Sequence, residues 1–577
     1  MTAKHAAVHS HRAGRLCALQ ALVGRNLALR VSSVGWFWGA AAVAVVALAV
    51  APVLTLAWAA LQGESGHWQH LLEHVLPDAT RNTLALLAGV GAIALLLGVS
   101  TAWVVTAYAF PGRKMFTWAL LLPLAMPSYI IAFVYTDLLH PIGPLQTALR
   151  AVLGYESPRQ WRLPDIRSLG GAIVLLGLVL YPYVYLSARA AFLTQSRHLL
   201  EAARSLGCGP WQVIWRVVLL LARPALAVGL SLALLETLND IGASEFLGVH
   251  TLTVSIYTTW VTRSDLAGAA QIALSMLLLV LLFIGLEQHG RARLRFASVQ
   301  GRGYMQPRRL RGVAAGLVLA WVALPVLLGF VAPAAYLLHQ AWERMAYAGS
   351  ISPELWLSVR NTVLLAVVAT VCAVLAGLLV AWVSRQGMQS ARPPAWPVRL
   401  GSLGYAIPGT VLAIGLLPPA LRVDAWVADG LGLSGLPLMM AGVWLCLGCS
   451  LRFLAIAANG VQSGLLRQPP ALEQAARLLG EGPTGVLWRV HLPLLRPALA
   501  SSAMLVFVDA MKELPATLLL RPPNFETLST LLYAEAARGT YEEGALAALA
   551  IVAAGIAPVI WLAVQQERHV MKQAAQS

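Results

Sequence analysis

Charged residues are scarce in this 577-residue sequence: Asp, Glu, Lys and Arg together make up 11%, against about 25% in ordinary soluble domains. A water-soluble protein of this length could not cover its surface with so few charges, which excludes a soluble enzyme or soluble binding module. Lysine is nearly absent, with Lys4, Lys114, Lys512 and Lys572 the four. None follows a glycine, so the Gly-Lys step of a phosphate-binding P-loop is missing and the chain is expected to carry no ATPase site. Cysteine is sparse too. Cys17, Cys208, Cys372, Cys446 and Cys449 supply neither a disulfide framework nor a second ligand pair for a metal. Cys446 and Cys449 sit inside an apolar run, Val443 to Ala457, and read as two small residues on one helix face. With no metal-ligand spacing and no nucleophile constellation, nothing supports a membrane enzyme. No cleavable leader is expected either: the first apolar run starts near Val34, behind a polar tail holding Lys4, Arg12, Arg15, Arg25 and Arg30. That run is long enough to span, whereas a signal h-region needs only ~7–15 residues. His5, His9 and His11 read as tail residues rather than as a metal site.

What is present is apolar surface: 58% hydrophobic residues and a mean hydropathy of +0.71. A bilayer core needs ~20 apolar residues per helix. Runs of that length lie near 34–61, 82–108, 115–137, 170–192, 224–247 and 266–286. A second set lies near 312–339, 361–383, 400–420, 436–459, 497–520 and 543–564. The fold expected is an all-α polytopic membrane protein with about twelve transmembrane helices. Its net charge of +16 comes from arginines between the apolar runs, which fits the positive-inside rule and not a nucleic-acid surface. Arg113 and Lys114, then Arg197, Arg204 and Arg216, then the run from Arg291 to Arg311, then Arg385, Arg392 and Arg399 all fall on the side of the N-terminal tail. The opposite loops hold Glu64, Glu73 and Asp78, and also Asp424 and Asp429. The loop from Leu138 to Leu169 dissents with Arg150, Arg159, Arg162 and Arg167, but it also carries Glu156 and Asp165. The expected organisation is a cytoplasmic tail 1–33, a first half 34–286, a basic linker 287–311, a second half 312–565 and a cytoplasmic tail 566–577.

The chain repeats itself. Arg223-Pro-Ala-Leu226 returns as Arg496-Pro-Ala-Leu499, 273 residues later. Gly207 and Gly480 stand at the same offset of 273, as do Asp240 and Glu513. Arg81-Asn-Thr83 returns as Arg360-Asn-Thr362 at 279, and Pro127 as Pro408 at 281. Two six-span units in the same orientation fit these offsets and imply a pseudo-two-fold axis along the membrane normal.

Between the fourth and fifth spans of each unit lies a recurring loop. The first reads Glu201-Ala202-Ala203-Arg-Ser-Leu-Gly207, followed by Val217, Leu219 and Leu220. The second reads Gln474-Ala475-Ala476-Arg-Leu-Leu-Gly480, followed by Val490, Leu492 and Pro493. Ala and Glu favour helix, and the glycine ends or kinks it. The alanines leave a shallow surface that another backbone can approach closely. An acid at the helix start is favoured by the helix dipole. A single such segment could be a mere interfacial amphipathic helix; two at matched offset on the basic side point to a docking lever.

These loops resemble the EAA motif of ABC importer permeases. The copies depart from it at Gln474, where Glu473 stands one residue earlier, and at Leu220, which replaces the closing proline. The resemblance implies a type I ABC importer permease fold made of two tandem six-helix halves. It further implies two copies of a cytoplasmic ATPase that grip the loops and carry the ATP and Mg, a periplasmic substrate-binding protein, no cofactor on this chain, and an inner-membrane location with both termini cytoplasmic. Leu124-Ala-Met-Pro-Ser-Tyr-Ile130, Tyr135-Thr-Asp-Leu-Leu139, Ile407-Pro-Gly-Thr-Val-Leu412 and Lys512-Glu-Leu-Pro-Ala-Thr-Leu-Leu-Leu520 are similar to the ferric iron branch, over about 35–565 of the chain. Thiamine and phosphonate permeases share the fused design. A secondary transporter driven by an ion gradient would also have many spans and a repeat, but would not need the paired loops.

Intramembrane polar groups mark a candidate translocation path. Asp240 and Glu513 each lie 16 residues beyond a span proline, Pro224 and Pro497, or ~24 Å up the helix at about 1.5 Å per residue. Lys512 and Glu245 join them, and Tyr181, Tyr183 and Tyr185 offer further oxygen donors. Charges at such depth face a cavity or a partner. An alternative stays open: beside Gly242 and Pro515 the two acids would cap freed backbone amides, with Lys512 neutralising Glu513 and the tyrosines packing as anchors.

Overall fold

The computed structural model describes residues 37–62, 65–195, 197–292, 307–387 and 407–576. The histidines of the N-terminal tail, Cys17, and linker residues such as Arg293, Arg295, Arg302, Arg392 and Arg399 lie outside them. The described chain is helical apart from one two-residue parallel pairing, Tyr108–Ala109 with Arg308–Arg309. Eleven described helices are long and apolar enough to cross a membrane, and a twelfth crossing arises if one bent pair is counted.

That bent pair corrects the straight span expected at 115–137. Helix Arg113–Ala125 meets Ser128–Leu138 at 88°. Pro127 causes the break: it has no N–H to give and disfavours helical geometry in the residue before it, and Met126 is accordingly extended (φ −100°, ψ 103°). Two further spans are shorter at their ends than the apolar runs. The run 224–247 stops helically at Asn239 and resumes as Gly242–Phe246, and 497–520 stops at Met511 and resumes as Pro515–Leu520. The run expected at 400–420 is, where described, the helix Gly409–Leu431. Asp424 is therefore not a loop residue. It is 1% exposed and accepts from Leu438 N (2.6 Å), Met439 N (3.1 Å) and Trp444 Nε1 (2.7 Å), tying the next helix start to this one. The run 436–459 begins instead at Val443, after Gly442 turns the chain with φ 72°.

The described residues cluster into two compact units. The larger comprises 52–369, 406–452 and 507–577; the smaller comprises 1–51, 370–405 and 453–506. In the larger unit, Phe133, Leu120, Leu121, Tyr181, Tyr185 and Phe192 sit at the centre of the main apolar cluster. Tyr181 donates to Leu120 O and Tyr185 to Thr117 O, both at 2.9 Å, so these two tyrosines anchor packing. In the smaller unit, Val461, Leu465, Leu495 and Ala381 form a core, and Trp382 is stacked edge-on by Trp38.

The same close helix crossing recurs within each unit. A Cβ on Gly98 would lie 2.9 Å from Tyr185 N, and one on Gly377 would lie 2.7 Å from Ala458 N. The pairs correspond at offsets of 279 and 273. Small residues let membrane helices approach in this way, where dispersion and not hydrophobic exclusion drives association. A second crossing exchanges its residues: Gly229 packs on Ser187 in the first repeat, and Gly460 packs on Ser502 in the second.

Candidate functional site

The first recurring loop is in the larger unit and the second in the smaller, and each is built the same way. Helix Arg197–Ser205 ends at Gly207, with φ 86°; helix Pro470–Leu478 ends at Gly480, with φ 89°. Gly207 N donates to Arg204 O (2.9 Å) and Cys208 N to Ala203 O (3.1 Å). Gly480 N donates to Arg477 O (3.0 Å) and Glu481 N to Ala476 O (3.1 Å). This is the Schellman closure, which requires a left-handed residue after the helix and so selects glycine. The glycines therefore end the helices and do not kink them. Short helices Pro210–Val213 and Pro483–Val486 follow, then one π-helical turn in each, Ile214–Val218 and Leu487–His491, 273 residues apart. Leu219 and Leu492 open the long helices that come next, half-buried, with Pro493 exposed.

The side chains sort by face. Ala203 and Ala476 are buried; Glu201, Ala202, Gln474 and Ala475 are exposed, as are both glycines. Next to the glycines, Leu206 and Leu479 are 85% and 86% exposed, and the tryptophans Trp215 and Trp488 also face outward. Each loop thus offers a small-residue strip flanked by an outward leucine and an outward tryptophan. Sequence reasoning missed these apolar residues, although their common offset of 273 was a usable signal.

Glu473 departs from the pattern. It is 2% exposed and faces inward, where Arg477 Nη2 lies at 2.7 Å, Arg385 Nε at 3.4 Å and His491 Nε2 at 3.8 Å. His491 Nδ1 is 2.6 Å from Gln468 Oε1, and Arg385 also donates to Leu465 O and Gln468 O. This acid therefore braces the second loop against neighbouring helix ends, while the exposed position equivalent to Glu201 is Gln474. Arg385, His491 and Gln468 were not foreseen, since Arg385 counts in the sequence only as one more basic loop residue.

The candidate path residues divide. Asp240 accepts from Ser244 N (2.8 Å), Ser244 Oγ (3.0 Å) and Ser128 Oγ. Glu513 accepts from Ala516 N at 2.9 Å and from Arg452 Nη1 at 2.9 Å. Both acids are buried and cap the broken span ends, the structural alternative left open above. The expected Lys512–Glu513 neutralisation is replaced: Lys512 Nζ pairs with Asp509 at 2.9 Å, one helical turn back, and Arg452 holds Glu513. Glu245 differs from the other acids. It is half-buried, receives the Tyr533 hydroxyl and lines a cavity. Among the described residues no group of three or more His, Cys, Asp or Glu is placed to hold a metal, and Cys449 is buried.

The repeated Asn-Thr pair has a shared duty. Asn82 Nδ2 donates to His250 O (3.1 Å) and Thr83 Oγ1 accepts from Leu252 N (3.0 Å). Asn361 Nδ2 donates to Glu526 O (3.0 Å) and Thr362 Oγ1 accepts from Leu528 N (2.8 Å). In both repeats the motif pins the start of the helix that follows the broken span.

The chain is thus an all-helical membrane protein with a matched, glycine-capped loop in each repeat. The family model described as "binding-protein-dependent transport system inner membrane component" matches residues 94–296 and 398–572, about two thirds of the chain, and the protein belongs to that family. It is thus a multi-pass inner-membrane permease component, whose family works with a binding protein and an ATPase. Among its relatives, the Fe(3+)-transport system permease protein FbpB 2 of Haemophilus influenzae is 23% identical over 494 residues, covering 84% of this chain and 90% of the relative. The ferric transport system permease protein FbpB of Actinobacillus pleuropneumoniae is 24% identical, covering 76% and 64%. A putative 2-aminoethylphosphonate transport system permease protein PhnU of Salmonella choleraesuis is 30% identical over 239 residues, covering 40% and 82%.

Proposed function

We propose that this permease imports ferric iron, using ATP hydrolysed by two copies of a separate cytoplasmic ATPase. In this reading a periplasmic binding protein delivers the ion, both termini are cytoplasmic, and the segments 1–33, 287–311 and 566–577 lie on that side. The helices Arg197–Ser205 and Pro470–Leu478 are the levers. Closure of the ATPase pair moves them, and the glycine-capped turn and π-helical turn pass the motion to the spans that follow. The ATPase drives the change because it binds one conformation of the permease better than the other.

The lever role is supported above all by one observation: two loops 273 residues apart share the same Schellman closure, outward leucine and π-helical turn. Iron as the cargo is supported by the length of the resemblance. The FbpB relatives align over 84% and 76% of this chain, whereas the PhnU relative aligns over 40%. The higher identity of that shorter match keeps a phosphonate as the second reading. The test is uptake into vesicles carrying the permease, its ATPase and its binding protein. Labelled ferric iron should accumulate only with ATP inside the compartment that holds the ATPase. Accumulation of 2-aminoethylphosphonate and not of iron would replace the cargo.

A further inference from the structure

We propose that the segment 142–167 is an interfacial membrane anchor. Its helix Pro144–Leu153 sits apolar face down among phospholipid acyl chains, with Arg159 and Arg162 at the lipid phosphates. The proposal goes beyond the transport reading and is independent of the cargo. It accounts for the one basic loop that breaks the charge pattern of its side.

The helix is built inside out. Gln146 and Arg150, one turn apart, are both buried. Gln146 donates from Nε2 to Leu139 O (2.7 Å) and accepts from Leu163 N (3.0 Å), which ties the start of the loop to its end. Arg150 donates to Pro141 O (2.7 Å) and to Thr147 Oγ1 (3.1 Å). Leu145, Ala148, Leu149 and Val152 form another stripe at helical spacing, and Val152 is 84% exposed. Ile142 and Leu153 at the two ends are exposed as well. A helix bathed in water turns its polar groups out and its apolar stripe in. This one does the reverse, which suits contact with hydrocarbon. The second repeat is built alike: Asp424 is buried and holds Leu438 N, Met439 N and Trp444 Nε1, while Trp426, Leu431 and Leu433 are exposed.

The level of the loop says what covers it. The Tyr336 hydroxyl donates to Asp137. Tyr336 lies 23 residues past Val313, where helix Val313–Tyr347 begins, or ~35 Å at about 1.5 Å per residue. The hydrocarbon core is about 30 Å thick, and Arg308, Arg309 and Arg311 stand just before Val313. Asp137 is therefore at the far headgroup layer, and Pro144 follows seven residues later. Tyrosine and tryptophan concentrate in that layer. Here Tyr155 and Trp161 lie parallel, with ring centroids 6.4 Å and planes 2° apart. Of the four loop arginines, Arg150 holds the fold, and Arg159, Arg162 and Arg167 are exposed. Asp165 accepts from Arg167 N at 2.9 Å, and Glu156 is the other exposed acid. Exposed guanidinium groups at the headgroup layer pair bidentately with phosphate oxygens.

The test uses the full-length chain in vesicles of phosphatidylethanolamine and phosphatidylglycerol. Its five cysteines are replaced by alanine, and one nitroxide-labelled cysteine is introduced. Tyr347→Cys is the aqueous reference, since Tyr347 is 93% exposed at the end of its helix. At Val152→Cys, collisional access should favour oxygen over a water-soluble nickel chelate several-fold more than at that reference. Equal ratios at the two sites overturn the anchor. Exchanging phosphatidylglycerol for phosphatidylcholine should lower the ratio at Val152→Cys, and Arg159→Gln with Arg162→Gln should remove that dependence. No dependence, or one that survives the double variant, overturns the phosphate contact. Shielding of Val152→Cys from both reagents only when the binding protein is added gives the face to that protein and overturns the lipid. The unaltered chain provides a second measurement, free of the cysteine replacements. A photoactivatable acyl-chain probe should label the tryptic peptide Ala151–Arg159 along with the spans. Labelled spans beside an unlabelled peptide overturn the anchor.

Discussion

At the scale of single residues, the equivalent acids Asp240 and Glu513 show how one position is satisfied in two ways. Asp240 is held by hydroxyl and amide donors, and Glu513 by Arg452 and one amide. The space for Arg452 comes from Gly409, where a Cβ would lie 1.6 Å from the guanidinium. At the matching place in the first repeat stands Ser128, the donor to Asp240. Removing one member of a buried ion pair leaves the other uncompensated, at about 3–5 kcal/mol. Arg452→Met is therefore expected to lower the thermal unfolding midpoint in detergent, and adding Glu513→Gln should recover part of the loss. An unchanged midpoint in the single variant would contradict the pairing. The sequence made the acids legible as costly charges, but not their partner. Arg452 lies 61 positions away inside an apolar run, and the nearer Lys512 was the natural guess until the helix geometry turned it toward Asp509.

At the scale of elements, the two loop helices proposed as levers each end in a left-handed turn. An L-residue there costs about 1–2 kcal/mol, and proline would in addition remove the N–H given to Arg204 O or Arg477 O. Gly207→Ala and Gly480→Ala are expected to reduce ATP-driven uptake, and the proline variants to abolish it, with membrane insertion retained throughout. Normal uptake in both proline variants would remove the lever role. The exchanged crossing gives a second prediction. Gly460→Ser places a side chain where a Cβ already meets Ser502 Oγ at 2.1 Å. It should destabilise by about 1–3 kcal/mol through overpacking, and Ser502→Gly should restore the midpoint by recreating the arrangement of the first repeat. Failure of that rescue would show that the two crossings differ. The crossing also explains why the repeat is faint in the sequence. What recurs is one small residue against one slightly larger one, and which helix bears which has been exchanged. The π-helical turns were invisible for a different reason: Ile214–Val218 and Leu487–His491 share Trp-Arg-Val in register, but that shared stretch carries no signal that the helix widens there.

At the scale of the whole molecule, composition and run length were enough for an all-helical membrane protein with about twelve crossings, since few charges and long apolar runs leave no soluble alternative. The breaks were readable only in part. The acids beside Gly242 and Pro515 pointed to two of them, whereas the apolar run continues through Met126–Pro127 with no change of hydropathy, and there the backbone dihedrals show where the helix stops. The inward turn of Glu473 was hidden likewise, because a one-residue shift on a helix rotates a side chain by about 100° and carries it from the exposed face to the interior. Function at this scale rests on energy supplied from outside the chain. The most direct measurement is solute accumulation in sealed vesicles at a clamped ion gradient, with and without the ATPase subunit. ATP-dependent accumulation that vanishes when the ATPase is omitted is the expected result. Uphill transport by the permease alone would contradict it.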